Sequence, residues 1–502
     1  MASLHSTRGL LFVFTTILLF LSTSAPSSSD NRLQIPFQWK PTSLLSKAGA
    51  FEELTNCKTH TLGLSEPTEI ALTNSAERSI NSNNRIYHHD FVVLRFLAST
   101  DSERRILKEI THKRRFDVWS STREHIDICL QEKDIPKLFS LLPYSLQKSH
   151  LLLIPHVQVS VNQTWSHIST SKQSFNVKSL NETYFSNYQS LDTIYIWMDF
   201  LRALYPDLVD IIELGNSYEG RKIQGIKLNG TPPKEGKKKK TILINGAQHA
   251  REWISVSTVS YLASALVSGY NQDNDIKNML DDFDWVFFPT LNVDGYVYSF
   301  EVDRLWRKNR QPTGFPFCTG IDLNRDWGFK WPEEEDSLGV NPCSERYQGE
   351  TPFQAIESKL LAEYIGNLKD HDHEVIGYLD FHSYAQKILY PFAYDCATTP
   401  PNLEDLEELA IGAARAIKQS NYQHYEVESA CDYDDYGDKN GGSAVDWIYN
   451  QGAHFSYIIK LRDTGTHGFL LPPDEIIPCG EEILSMTKFF SKFISEKEGF
   501  IH

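Results

Sequence analysis

Thr241-Ile242-Leu243-Ile244-Asn245-Gly246-Ala247-Gln248-His249-Ala250-Arg251-Glu252-Trp253 is the stretch that decides how this chain is read. Its apolar run reads as a strand buried on both faces, as parallel sheets require. His249 and Glu252 follow at the strand end, where open α/β sheets place their ligands. The pattern predicts that Glu252 opens an amphipathic helix, Trp253 to Gly269. An imidazole and a carboxylate three residues apart then share one face and can share one metal ion. His-x-x-Glu alone is weak, and a second copy, His371-Asp372-His373-Glu374, reads as a polar surface turn. A catalytic zinc needs a third protein ligand and an open position. His382, directly after the predicted strand Val375–Phe381, supplies it, although a lone strand-end histidine is ordinarily structural.

The surrounding chain sets the bounds. At 502 residues there is room for two folded units plus flanking segments, and 41% hydrophobic residues suffice for a sizeable core. A formal charge of −16 argues against a nucleic-acid partner. The basic run Lys237 to Lys240 reads as a solvated loop. Arg8, an apolar run from Leu10 to Leu21 and the small residues Ser22 to Ala25 form a secretory signal over residues 1–25, too short for a membrane anchor. Pro26 shifts the cut away from Ala25. Secretion is therefore expected, and the sequons at Asn162, Asn181 and Asn229 fit glycosylation there. Seven cysteines leave at least one thiol unpaired. Cys318, Cys343, Cys396 and Cys431 can form two local bridges, and Cys57, Cys129 and Cys479 read as buried thiols.

Residues 26–84 are Ser-, Thr- and Asn-rich and read as a poorly ordered leader. Over 85–160 the pattern predicts a strand His89–Leu97, a helix Asp101–Arg115 capped by its aspartate, and an extended segment Val118–Leu130. A helix Asp134–Leu142 and an extended segment Leu151–Val159 complete a small open α/β sandwich. Residues 161–190 are polar and read as an exposed linker with no dibasic cleavage site. From 191 to 502 longer helices alternate with apolar strands, among them Trp285–Phe288 and Ser456–Leu461, as an α/β domain requires.

Five segments then occur in order: His249-Ala-Arg-Glu-Trp253, Leu305-Trp-Arg-Lys-Asn309, Gly320-Ile-Asp-Leu-Asn-Arg325, Phe381-His-Ser-Tyr384 and Leu461-Arg-Asp-Thr-Gly465. Together, over roughly 185–495, the chain resembles the A/B-type zinc metallocarboxypeptidases, and 85–160 resembles their inhibitory pro-domain. The resemblance implies a mixed eight-stranded sheet flanked by helices and one Zn²⁺ per chain on His249, Glu252 and His382. It implies that Asp322 orients the first histidine, which would fix its tautomer and raise its basicity. Asn324 and Arg325 match the clasp for a terminal carboxylate, which suits the arginine fork. Arg307 matches the group that polarises the scissile carbonyl, and Arg251 and Tyr384 match substrate contacts. Cys318–Cys343 and Cys396–Cys431 match the family's disulfides.

Two positions depart from the family pattern. Lys460 stands where the family carries the glutamate that acts as general base. In the segment Tyr436–Trp447 the spacing is longer than in relatives, which makes Tyr436 the nearest match to their mobile tyrosine and puts Val445 in an apolar specificity pocket. The chain thus resembles the fungal branch of catalytically silent homologues, associated with cell-wall organisation and the secreted or vacuolar compartment. Three readings follow. The first is a zinc-binding pseudopeptidase that retains peptide C-termini as partners. The second is a working carboxypeptidase in which a neutral Lys460 or a nearby carboxylate replaces the base. The third is an extracellular scaffold with a vestigial site. Metal content separates the third from the others, and turnover separates the first two.

Overall fold

Eight strands form one mixed sheet, in the order Glu426–Ser429, Lys387–Tyr390, Phe455–Lys460, Val375–His382, Lys240–Asn245, Phe283–Phe288, Lys222–Leu228 and Val209–Asn216. In this computed structural model the described residues are 79–80, 84–165, 183–231, 239–332, 340–371, 373–433 and 441–500. The signal, nearly all of the leader, Cys57, Asn181 and Tyr436 lie outside them. The four strands from Phe455–Lys460 to Phe283–Phe288 run parallel, and the flanking pairs bring the antiparallel edges. Two strands of the parallel centre show why their sequences are so apolar: every residue of Phe283–Phe288 and of Val375–His382 is buried. Helices cover both faces, as parallel strands need.

The helix Trp253–Gly269 is not amphipathic: thirteen of its residues are buried, and it packs against the C-terminal helix Ile476–Lys497. Helices hydrophobic all round belong inside the protein. The described part of the lysine run, Lys239 and Lys240, is not a solvated loop either. Lys239 is buried with its ammonium on the Leu280 carbonyl, and Lys240 begins the strand, paired with Glu374 and Glu498.

The N-terminal region is a four-stranded antiparallel sheet, ordered Asp117–Ser121, His125–Gln131, Phe91–Leu97 and His150–Ile154, with the helices Asp101–Arg114 and Ile135–Leu141. Three local readings change. The first helix is capped by Thr100, whose hydroxyl accepts from the Glu103 amide, and not by Asp101. The predicted extended run 118–130 is a hairpin broken at Thr122 to Glu124, and the predicted extended run 151–159 ends at Ile154. A helix, Val157–Trp165, replaces its second half and runs past the expected boundary at 160. The supposed linker also contains buried Tyr184, Phe185 and Tyr188.

Period-two alternation splits the N-terminal region between two cores. Val92, Leu94, Phe96, Ile126 and Ile128 pack on its own helices, whereas Val93, Trp119, Cys129, Ile154, Val157 and Val161 join the core of the larger domain. Cys129 and Cys479 are buried, as expected.

Disulfides Cys318–Cys343 and Cys396–Cys431 both form, with Cα atoms 4.7 and 5.4 Å apart. Each closes a loop of a few tens of residues, so each should contribute about 2–4 kcal/mol. Cys396→Ser with Cys431→Ser should lower the urea midpoint accordingly, and peptide mapping without reduction should recover these two pairs and no bridge to Cys479.

One buried group at the seam gives a pH expectation. His125 faces Asp127 and Arg95 from its own region and Lys387 and Glu426 from the larger domain, with Nδ1 3.1 Å from the Thr122 hydroxyl. Burial pushes its imidazole down from 6.5 to about 4. The unfolded chain therefore binds a proton between those values that the folded chain refuses, and stability rises with pH across that window by roughly 3 kcal/mol. Glu357 and Asp446, both pushed up to about 7 by burial, slope the other way. The test is thus a difference: His125→Gln should lose stability less steeply than the native chain between pH 7 and pH 4.5, and parallel curves would refute the assignment.

Candidate metal centre and surrounding cavity

The turn after strand Lys240–Asn245, rather than the helix itself, brings His249 and Glu252 together. Glu252 is the cap preceding Trp253, and its amide donates to the His249 carbonyl at 3.2 Å. Ala247 enters this turn with φ +47°, and its amide is held by the Ser255 hydroxyl. His382 ends the next strand of the sheet. Ligand atoms of His249, Glu252 and His382 lie within 4.8 Å of one another, and all three residues are buried. His249 Nδ1 is 2.9 Å from Glu252 Oε1, His382 Nδ1 is 2.9 Å from Glu252 Oε2, and the two Nδ1 atoms are 3.1 Å apart.

The far side of each ring is what makes this a fitting donor set. His249 Nε2 lies 2.9 Å from Asp322 Oδ1, and His382 Nε2 lies 3.0 Å from Asp380 Oδ2. A carboxylate behind each ring holds the proton on Nε2 and turns the Nδ1 lone pair toward the shared point. Burial works against the Glu252 charge, yet His249 and His382 hold its carboxyl well below the usual range. Burial and then Arg307 lower His249. Burial works against a charge on His382 as well, but Asp380 and Glu252 raise its imidazole above the usual value. Of the forms a metal needs, the ionised carboxylate and the neutral His249 are thus already favoured. Asp380 was not singled out from sequence. Its signal was available: it lies two residues before His382, hence on the same face of the strand.

The remaining predicted residues gather around this centre. Arg307 donates to Asp322 Oδ2 at 2.8 Å and to the Glu345 carbonyl at 3.2 Å. Asn324 accepts from the Ala444 amide at 2.9 Å and reaches the His382 ring at 3.4 Å, while Arg325 donates to the Asn324 carbonyl. Gly442, at φ +76°, makes that arrangement possible: a Cβ there would sit 2.3 Å from the Arg325 carbonyl oxygen. Val445 is buried against Leu389, Ala393, Ala430 and Ile458. The last four line the cavity, giving it an apolar wall next to Arg307, Asn324 and Arg325.

Lys460 ends strand Phe455–Lys460 with its Cα paired to that of His382. Its side chain lines the same cavity of 290 Å³, and its ammonium lies 5.4 Å from the centre of the Tyr433 ring. Its charge also opposes protonation of His382.

The N-terminal region closes this cavity, and it does so with groups that sequence reading did not identify. Arg251 donates to both oxygens of Asp117 at 3.1 Å and lies 4.2 Å over the Phe469 ring. The Tyr384 hydroxyl donates to Asp127 at 2.6 Å, and Asp127 is paired with Arg95, which also reaches the Thr464 carbonyl. Both expected substrate contacts, Arg251 and Tyr384, are thus occupied by aspartates of the chain itself. Composition gave no sign of this, because the aspartates lie more than a hundred residues away in sequence.

Residues 194–486 match the zinc carboxypeptidase family, peptidase family M14. The chain belongs to that family. It is 41% identical over 443 residues to the "Inactive metallocarboxypeptidase ECM14" of Paracoccidioides lutzii, an alignment covering 83% of this chain and 74% of the relative. The protein of the same name from Sclerotinia sclerotiorum is 42% identical over 440 residues, covering 81% and 73%. Among solved structures, thrombin-activatable fibrinolysis inhibitor superposes with a TM-score of 0.70 at 28% identity, over 82% of this chain and all of the other. Carboxypeptidase A of Helicoverpa armigera gives the same TM-score at 24% identity, over 82% and 99%. The fold is therefore the carboxypeptidase fold, and the similar fungal proteins are named as inactive. Among the described residues no helix is long and apolar enough to cross a membrane.

Proposed function

We propose that this chain is a zinc-binding carboxypeptidase homologue without peptidase activity, which retains the capacity to bind a peptide C-terminus. The observation that carries the reading is Lys460 at the strand end beside His382, in the cavity that holds the rest of the site. His249, Glu252 and His382 would hold one zinc ion, with Asp322 orienting His249. Bound there, zinc would supply Lewis-acid polarisation of a carbonyl oxygen.

Hydrolysis also requires a group that takes a proton from the attacking water and returns it to the leaving amine. An ammonium offers three donors and no acceptor, so Lys460 cannot take that role. Most of the described carboxylates near the centre are already committed, Glu345 on the cavity wall excepted. Glu252 belongs to the donor set, Asp322 and Asp380 stand behind the imidazoles, and Asp117 is committed to Arg251. Asn324 and Arg325 remain to receive a terminal carboxylate, and the wall of Leu389, Ala393, Ala430 and Ile458 suits an apolar last residue. A peptide with a free carboxylate and an apolar end should bind weakly, and its C-terminal amide should not.

The apolar run Leu10–Leu21 supports a secreted or vacuolar location, and N-terminal sequencing of protein recovered outside the cytoplasm would test it. A role in cell-wall organisation rests on resemblance to the fungal branch. The reading as a whole is tested by zinc content together with turnover. Stoichiometric zinc with no release of C-terminal residues supports it. Robust zinc-dependent release by the Lys460 form would overturn it in favour of a working enzyme, and absence of zinc would favour a scaffold.

A further inference from the structure

Asp380, His382 and Lys460 lie in a row on one face of two neighbouring parallel strands. Asp380 and His382 are two residues apart on Val375–His382, and Lys460 is the Cα partner of His382 on the adjoining strand. The Asp380 carboxylate is fully buried and fixed from three sides. Asn245 donates to Oδ1 at 2.9 Å, Gln248 donates to Oδ2 at 2.7 Å, and His382 Nε2 lies 3.0 Å from Oδ2. This network draws on the strand Lys240–Asn245 and on the turn that carries His249, so the carboxylate cannot turn away without disturbing the donor set itself.

From this row we infer that Asp380 is the charge that lets the centre hold zinc beside a lysine. A cation at 460 repels a divalent metal and opposes whatever positive charge His382 acquires on ligation. A buried carboxylate hydrogen-bonded to the far nitrogen of the same ring acts in the opposite sense: it raises the ligand's basicity and orients it. Burial keeps water from screening the carboxylate, and Lys460 is half-buried at the cavity wall, so the two act on the metal through a common imidazole. Asp380 is thus a positioning residue whose value to the centre depends on Lys460 being present. Asp322 plays the ordinary orienting part for His249, where Arg307 already balances it.

This inference rests on the zinc-binding reading above and deepens it. The test is a four-protein cycle in the full chain: native, Asp380→Asn, Lys460→Met and the double variant. Zinc affinity is measured by chelator competition, and zinc-dependent thermal shift confirms folding. Asp380→Asn should lower zinc affinity by on the order of 100-fold in the native chain, the upper end for loss of an outer-shell partner. In the Lys460→Met background the same change should cost about tenfold. The new amide meets the donors of Asn245 and Gln248, so Asp380→Ser repeats the measurement should the asparagine variant not fold. Equal losses in the two backgrounds would overturn the compensation, since a purely structural role is additive with residue 460. So would unchanged zinc affinity on losing the carboxylate. A chain that binds no zinc in any form overturns the zinc-binding reading and this inference with it. A chain that binds zinc, stays silent as a peptidase and gives additive losses overturns only the inference.

Discussion

Zinc-loaded protein with Lys460 intact will release no more amino acid from peptide C-termini than the zinc-free control, and Lys460→Glu will raise turnover by on the order of 100- to 10,000-fold above that background rate. The range is what a positioned general acid–base group contributes. Two favourable changes arrive together in that variant, a proton acceptor gained and a cation beside the metal lost, so the upper part of the range is expected for chemistry. The N-terminal region pulls the other way, because Asp117 and Asp127 occupy Arg251 and Tyr384. The assay should therefore compare intact protein with protein cleaved at Lys172 or Lys178, using a blocked dipeptide with an apolar end. Silence of Lys460→Glu in both forms would show that the altered segment before Trp447 also removes something the reaction needs. Turnover by the unmodified chain would remove the base-loss account altogether.

The second large effect is on the metal. His249→Ala with His382→Ala should abolish zinc binding, leaving Glu252 as the only member of the donor set. One zinc per native chain should fall to none after dialysis against a mild chelator. Binding to the folded state alone stabilises by RT ln(1 + [L]/Kd), about 2.7 kcal/mol when free zinc is a hundredfold above Kd. Chelation should therefore lower the melting temperature of the native protein and leave that of the double variant where it is. A double variant that keeps its zinc would place the ion elsewhere.

These two results would test what local sequence already carried. His249 and Glu252 were legible from their spacing after an apolar strand, and the full donor set from the motifs that resemble the zinc carboxypeptidases. Lys460 was legible for the same reason. The helix bounds Trp253 to Gly269 were legible too, although turn geometry at Ala247 and the Ser255 hydroxyl, rather than periodicity, start the helix. The hairpin at Thr122 to Glu124 and the helix Val157–Trp165 were missed where short apolar runs fit strand and helix alike.

The sequence by itself determined the buried parallel strands, the three metal-facing residues, the two disulfide pairs and the cation at 460. The strands follow from hydrophobic patterning, whereas the ligand set, the cysteine pairing and the meaning of Lys460 are what the resemblance of the five motifs implies. Only the tertiary structure decided which carboxylates attend them. Asp380 stands behind His382 because strand alternation and the neighbouring strand's amides fix it there. Asp117 and Asp127 reach Arg251 and Tyr384 because Val93, Trp119 and Ile154 dock the N-terminal sheet onto the larger core. An acidic chain offers 65 carboxylates, and nothing in their order along the chain marks Asp117 or Asp127. Partners across a sheet or between two packed cores are set by burial and register, which bring together residues that the sequence keeps far apart.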